Sequence, residues 1–271
     1  MTSPLHGYTA GSPDQPALLF LHGFLGSHAE WRPLIERLSD AFHCLAVDLP
    51  GHGRTPASDD PAAYTLPGAA AAVEEFLDAR GVERVHVVGY SMGGRLALYW
   101  AVHRPDRCGR VVMESASPGL LESRQAPARR ALDERWAARF EAGPLAEVLA
   151  DWYRQPLFAS LHEQPEVWRA MWAQRLRNRP EEVARSLRGM SVAAQASLWG
   201  RLASLTVPLL VLAGERDGKY RAIAARMAAA APRRVETRTV ADAGHNAHVE
   251  QPSAVADLIR AWIALERSSC A

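Results

Sequence analysis

Val87-Val88-Gly89-Tyr90-Ser91-Met92-Gly93-Gly94-Arg95 is the stretch whose reading decides the fold. An apolar run beginning at Arg84 ends in Gly-Tyr-Ser-Met-Gly, and an Ala/Leu-rich helical pattern follows from Met92 to His103. A G-x-S-x-G with a strand entering and a helix leaving carries its serine on a sharp, strained turn, hydroxyl outward. Glycine is required at 89 and 93 because a Cβ there would meet neighbouring backbone. The helix that starts at the serine turns its N–H groups and positive dipole end toward any negative charge forming above Ser91.

Outward from this turn, strands alternate with helices. Ala17 to Leu21, Phe42 to Val47, Arg84 to Val88, Val111 to Met113, Pro208 to Ala213 and Val235 to Val240 read as strands. Trp31 to Leu38, Leu66 to Ala79, Met92 to His103, Tyr220 to Ala230 and Ser253 to Glu266 read as helices. Residues 1–15 are polar and turn-rich, with weak edge strands at most. This alternation predicts an α/β fold, a mostly parallel, doubly wound sheet covered on both faces. Between Pro118 and Arg201 the alternation stops. That block is helical and holds Trp136, Trp152, Trp168, Trp172 and Trp199, five of the eight tryptophans. It is expected to be a helical cap, residues 118–201, inserted into a core of residues 1–117 and 202–271, with an apolar wall facing the sheet.

Two further features convert the serine into a candidate nucleophile or base. The strand 208–213 runs into Gly214-Glu215-Arg216-Asp217-Gly218, and the next runs into Asp242-Ala243-Gly244-His245-Asn246. Both put a functional side chain past the C-terminal edge of a parallel sheet, where sites in such sheets lie. A serine hydroxyl needs a neutral imidazole to take its proton, and the imidazole needs a carboxylate to fix its tautomer. Ser91, Asp217 and His245 fill these roles, with Glu215 and Glu114 as rivals for the carboxylate. The N–H groups of Met92 and of Phe24, in His22-Gly23-Phe24, are the expected oxyanion donors.

Composition narrows the function. Net charge is +1 over 271 residues, which speaks against nucleic acid or a membrane surface as partner. The basic residues are almost all arginine, and Lys219 is the only lysine. Cys44, Cys108 and Cys270 are few, scattered and odd in number, without metal-ligand spacing, and Cys44 and Cys108 read as reduced core residues. The first twenty residues lack a basic region followed by an apolar core, and no run is long enough for a membrane span, so a cytoplasmic location is expected. Gly-rich stretches lack G-x-G-x-x-G, so neither a dinucleotide nor any other cofactor is expected.

The whole chain resembles the α/β-hydrolase superfamily through Leu21-His22-Gly23-Phe24, Asp48-Leu49-Pro50-Gly51-His52-Gly53, Gly89-Tyr90-Ser91-Met92-Gly93-Gly94 and Gly244-His245. A narrower likeness adds Arg95, Ser117-Pro118-Gly119-Leu120, Asp151-Trp152-Tyr153-Arg154-Gln155-Pro156-Leu157-Phe158, Gly214-Glu215-Arg216-Asp217-Gly218-Lys219-Tyr220 and Gly244-His245-Asn246-Ala247-His248-Val249-Glu250-Gln251-Pro252. Together these look like the 2-succinyl-6-hydroxy-2,4-cyclohexadiene-1-carboxylate synthase family of menaquinone biosynthesis. That resemblance implies a carbon–oxygen lyase that eliminates pyruvate from an enolpyruvyl substrate bearing three carboxylates. It implies Arg95, Arg129 and Arg175 as an anion clamp, with Arg177 and Arg179 competing for the last place, and Tyr90, Trp152 and Tyr153 as substrate-lining aromatics. Lys219 joins them as a candidate cation. Guanidinium is suited to planar, bidentate carboxylate recognition. The alternatives are a serine carboxylesterase or carbon–carbon bond hydrolase on the same fold, and a catalytically silent receptor for a small ligand.

Overall fold

The computed structural model describes residues 4–268; Cys270 lies outside them. The first half contains β1 (Gly7–Ala10), β2 (Ala17–Leu21), α1 (Arg32–Leu38), β3 (His43–Val47), α2 (Leu66–Asp78), β4 (Val85–Tyr90), α3 (Met92–His103) and β5 (Cys108–Glu114). Four helices follow without a strand between them: α4 (Ala126–Ala142), α5 (Leu145–Tyr153), α6 (Pro165–Arg175) and α7 (Pro180–Gly189). The alternation then resumes with β6 (Leu209–Gly214), α8 (Gly218–Ala230), β7 (Val235–Val240), α9 (Ala247–Glu250) and α10 (Pro252–Ser268).

The strands form one seven-stranded sheet in the order β1-β3-β2-β4-β5-β6-β7. Among the described residues only β1 runs antiparallel, against β3. Residues 4–15 thus supply a single edge strand. β5 begins three residues before the strand expected at Val111. There Cys108 pairs with Val85 and the Arg110 N–H donates to His86 Nδ1 at 2.9 Å. Register brings Gly89 beside Leu21, Tyr90 beside Glu114, and Gly214 beside Val240. The loops carrying Phe24, Ser91, Asp217 and His245 therefore leave one edge of the sheet.

β4 and β6 are buried throughout, which accounts for the apolar run of β6 and the mostly apolar one of β4, broken by His86. On one face Val73 and Phe76 of α2, Leu96 and Trp100 of α3 and Met227 of α8 join Leu19, Val87 and Val211. On the other, Trp31, Leu34 of α1 and Val255 and Ile259 of α10 cover Leu18, Phe20 and Val88. α4 to α7 have an apolar cluster of their own, with Phe140, Leu149, Tyr153, Leu161, Met171 and Val183, which takes in Leu25 from the loop after β2. The tryptophans here pack largely on one another and on neighbouring rings. Trp168 and Trp172 have centroids 5.2 Å apart, and Trp136 and Trp152 are 5.0 Å apart. Trp152 and Trp199 are the two that also line the space between these helices and the sheet edge.

Candidate active site

Ser91 holds the left-handed backbone conformation of an elbow, with φ 50° and ψ −106°. A non-glycine residue there is strained, and the surroundings must enforce it. Here the enforcement is close packing. A Cβ at Gly89 would lie 2.3 Å from the Gly93 carbonyl oxygen, and one at Gly93 only 2.2 Å from that of Leu21. The Ser91 N–H donates to the Glu114 carbonyl at 2.8 Å, which ties the turn to β5.

Three loops bring the expected triad together. His245 Nε2 lies 3.4 Å from Ser91 Oγ, and His245 Nδ1 is 2.7 Å from Asp217 Oδ2. The carboxylate accepts from Nδ1, so Nε2 is left to accept the serine proton. The other oxygen of Asp217, Oδ1, accepts from the Tyr220 N–H; this caps α8 and fixes the carboxylate. The histidine loop is held by Glu250, whose carboxylate accepts from the N–H groups of Gly244 (2.8 Å) and Asn246 (3.2 Å). Of the rival acids, Glu215 accepts from the Asp242 N–H at the surface, and Glu114 is paired with His248.

The loop after β2 is set by His22, which nothing in the sequence singled out for that role. His22 is fully buried, with Nδ1 2.7 Å from the Gly23 carbonyl oxygen, while Nε2 accepts from the Leu49 N–H at 2.9 Å. Nδ1 therefore carries the hydrogen, and burial lowers the pKa, keeping the ring neutral. A Cβ at Gly23 would stand 3.5 Å from Ser91 Cβ and 2.5 Å from the Tyr90 ring, so the loop lies directly against the elbow. Among the described residues the N–H groups of Phe24 and Met92 have no acceptor.

Above Ser91 opens a cavity of about 890 Å³. Tyr90, Arg95, Arg129, Trp152, Tyr153 and Lys219 all line it. Arg95, one turn along α3 from Ser91, is held by Gln195 Oε1 (2.8 Å) and the Met190 carbonyl (2.6 Å). Burial lowers its pKa to about 10, and it remains a cation at neutral pH. Arg129 uses Nε alone, donating to both oxygens of the buried Asp133 at 2.9 Å; its two terminal amino groups have no partner among the described residues. Lys219 is an exposed residue of the cavity lining, and partial desolvation of its ammonium, with the charge of Arg129, lowers its pKa. Trp152 lies 5.1 Å from Phe24, and the Tyr90 ring packs 5.3 Å from His245.

Arg175 is placed differently from the other two arginines. It is 1% exposed and absent from the cavity wall. Its Nη2 donates to Glu30 Oε2 at 2.7 Å and its Nε to the Tyr153 hydroxyl at 2.9 Å. Arg177 is exposed and Arg179 donates to the Thr55 carbonyl, so neither replaces it at the cavity.

Among the described residues one grouping, His6, His28 and Asp48, has ligand-like spacing that the sequence did not suggest. The Asp48 carboxylate there accepts from the N–H groups of His28 (2.7 Å) and Arg54 (2.8 Å), with His28 Nδ1 and His6 Nδ1 at 2.8 and 3.0 Å. These contacts describe a hydrogen-bonded brace between loops.

Residues 16–252 match the alpha/beta hydrolase fold family. A 2-succinyl-6-hydroxy-2,4-cyclohexadiene-1-carboxylate synthase from Citrobacter koseri is 41% identical over 91% of this chain and 93% of its own length. The same-named protein of Klebsiella pneumoniae is 39% identical over 90% and 92%. The solved structure of MenH from S. aureus superposes with a TM-score of 0.91 at 32% identity, covering 98% of this chain and all of that one.

Proposed function

The chain belongs to the α/β-hydrolase fold family, and from that premise we propose that it is a 2-succinyl-6-hydroxy-2,4-cyclohexadiene-1-carboxylate synthase, a carbon–oxygen lyase of menaquinone biosynthesis. The observation that carries this reading is a Ser–His–Asp relay opening into a cavity walled by Arg95, Arg129 and Lys219. A hydrolase of neutral esters has no use for cations lining the cavity at its serine. A substrate with three carboxylates does.

Ser91 Oγ gives its proton to His245 Nε2 and takes a ring proton made acidic by the succinyl ketone. The C2–H electron pair becomes the C2–C3 double bond, the pair of the existing C3–C4 double bond moves to C4–C5, and the bond from C5 to the enolpyruvyl oxygen breaks. The leaving group departs as the enolate of pyruvate and recovers a proton from His245. The products are pyruvate and the conjugated cyclohexadiene, and no acyl-enzyme forms. The Phe24 and Met92 N–H groups serve the ketone oxygen as it gains charge. Arg95 and Arg129 hold carboxylates, Lys219 adds a third positive charge, and Tyr90, Trp152 and Tyr153 shape the ring site. Residues 118–201 act as a cap on a core formed by 1–117 and 202–271. The reaction needs neither metal nor organic cofactor.

The cytoplasm is the proposed location: Cys44 and Cys108 are buried free thiols, and among the described residues no helix is long and apolar enough to cross a membrane.

The test is an absorbance assay with 2-succinyl-5-enolpyruvyl-6-hydroxy-3-cyclohexene-1-carboxylate. The expected result is diene absorbance rising in step with pyruvate, and slow turnover of p-nitrophenyl acetate. Fast ester cleavage without diene formation would instead identify a carboxylesterase.

A further inference from the structure

Behind the cavity wall lies a chain of buried charges that neither the triad nor the cavity cations use. Glu114 ends β5, His248 opens α9, Glu30 sits in the turn before α1, and Arg175 ends α6. Each is at most 6% exposed. His248 Nδ1 is 2.9 Å from Glu114 Oε1, His248 Nε2 is 3.7 Å from Glu30 Oε1, and Glu30 Oε2 accepts from Arg175 at 2.7 Å. Negative and positive groups alternate from the sheet to the helix α6. Trp31 stacks on His248 at 4.2 Å and closes one side.

A buried ion pair contributes little net stability compared with apolar residues of the same size, so stability alone is a weak reason for this arrangement. What it does fix is a direction. Arg175 Nε donates to the Tyr153 hydroxyl oxygen at 2.9 Å. The phenol oxygen is therefore an acceptor on its Arg175 side, and its own hydrogen points elsewhere. Among the described residues that hydrogen has no acceptor, and Tyr153 lines the cavity. The chain of charges thus ends at the Tyr153 phenol of the cavity wall.

We propose that Glu30 is a positioning residue: by holding Arg175 against the Tyr153 oxygen, it turns the Tyr153 O–H toward the cavity, where it donates to an anionic oxygen of the substrate. This role depends on the lyase activity proposed for the site. Glu30 touches no substrate, and its effect passes through Arg175 and Tyr153. A hydroxyl that already accepts from a guanidinium is a stronger donor than a free phenol, because successive hydrogen bonds polarise one another.

The experiment is a double-mutant cycle on kcat and KM with the enolpyruvyl substrate, using Tyr153→Phe, Glu30→Asp and the pair. Glu30→Asp keeps the buried charge but withdraws the carboxylate from Arg175. Each single change is expected to lower kcat/KM roughly tenfold, the worth of one hydrogen bond to a charged group. In the Tyr153→Phe background, Glu30→Asp is expected to cost less than a further twofold. Wild-type kinetics for either single variant, or the same loss from Glu30→Asp in both backgrounds, would overturn the assignment. If Glu30→Asp does not fold, Arg175→Lys probes the same link, since an ammonium keeps the charge and loses the fork. Absence of turnover by the wild-type enzyme would overturn the lyase reading instead, so the two failures are separable.

Discussion

At the scale of single residues, the strongest expectation concerns Arg95. It is half-buried, one helical turn from Ser91, and held by Gln195 and the Met190 carbonyl. Arg95→Ala removes a charge-assisted contact and is expected to lower kcat/KM by roughly 10²-fold, mainly through KM. Unchanged steady-state kinetics would remove Arg95 from the site. Ser91→Ala and His245→Ala should each abolish most turnover, with the double variant little worse than either, because relay members act as a unit. Ser91, Asp217 and His245 were legible in the sequence because each follows a readable strand and carries the chemistry itself. His22, Glu250 and Asp133 were not. They act by accepting or donating hydrogen bonds to groups that only the fold brings near, such as the Leu49 N–H for His22. Arg175 shows the limit from the other side: the family resemblance implied an anion clamp, but its facing partner, Glu30, is 145 positions away.

At the scale of elements, the approach of α3 to β2 carries the elbow. Gly93→Ala would press a methyl group to 2.2 Å from the Leu21 carbonyl, and backbone on both sides prevents escape. A loss of ~2–4 kcal/mol in stability is expected, seen as a lower midpoint in urea. A variant as stable as the parent would show that the helix can shift freely. The contact of α9 with β5 gives a pH dependence. Burial alone would push the pKa of His248 down, but Glu114 and Glu30 overrule it and raise it to about 9 from an ordinary 6.5. A group raised on folding stabilises fully below its unfolded pKa and loses that contribution as pH rises through the folded one. The melting temperature should therefore fall between about pH 6.5 and 9. The fall should be flattened in Glu114→Gln, which removes the carboxylate bonded to Nδ1. Glu30 works at the other end: burial would raise its pKa, yet Arg175 holds it down to about 2, so its contribution is lost as pH falls from about 4.5 to about 2. A melting temperature that is flat from neutral to alkaline pH would contradict this account of His248. The strands β2 and β7 were placed residue for residue from the sequence, whereas the first half of β5 was hidden. Cys108-Gly109-Arg110 has no apolar pattern, and pairing with β4 is what makes it a strand.

At the scale of the whole molecule, the net charge of +1 conceals an uneven distribution, with Arg95, Arg129 and Lys219 collected around one cavity. Attraction of a polycarboxylate to such a mouth is screened by salt. Raising ionic strength from about 0.05 to about 0.5 M should lower kcat/KM several-fold, mostly through KM. A flat response would mean that the cations do not face the ligand. The overall architecture was legible because alternation of strand and helix is a local property. The role of the helices α4 to α7 was less so, because their tryptophans satisfy one another as much as they face the sheet. The central claim is that Ser91, relayed through His245, removes a carbon-bound proton and never bonds to the substrate. Intact-mass spectrometry of enzyme quenched during turnover of the enolpyruvyl substrate tests it most directly. The expected result is an unmodified chain at every time point while diene and pyruvate accumulate together; a transient mass increase located at Ser91 would contradict it.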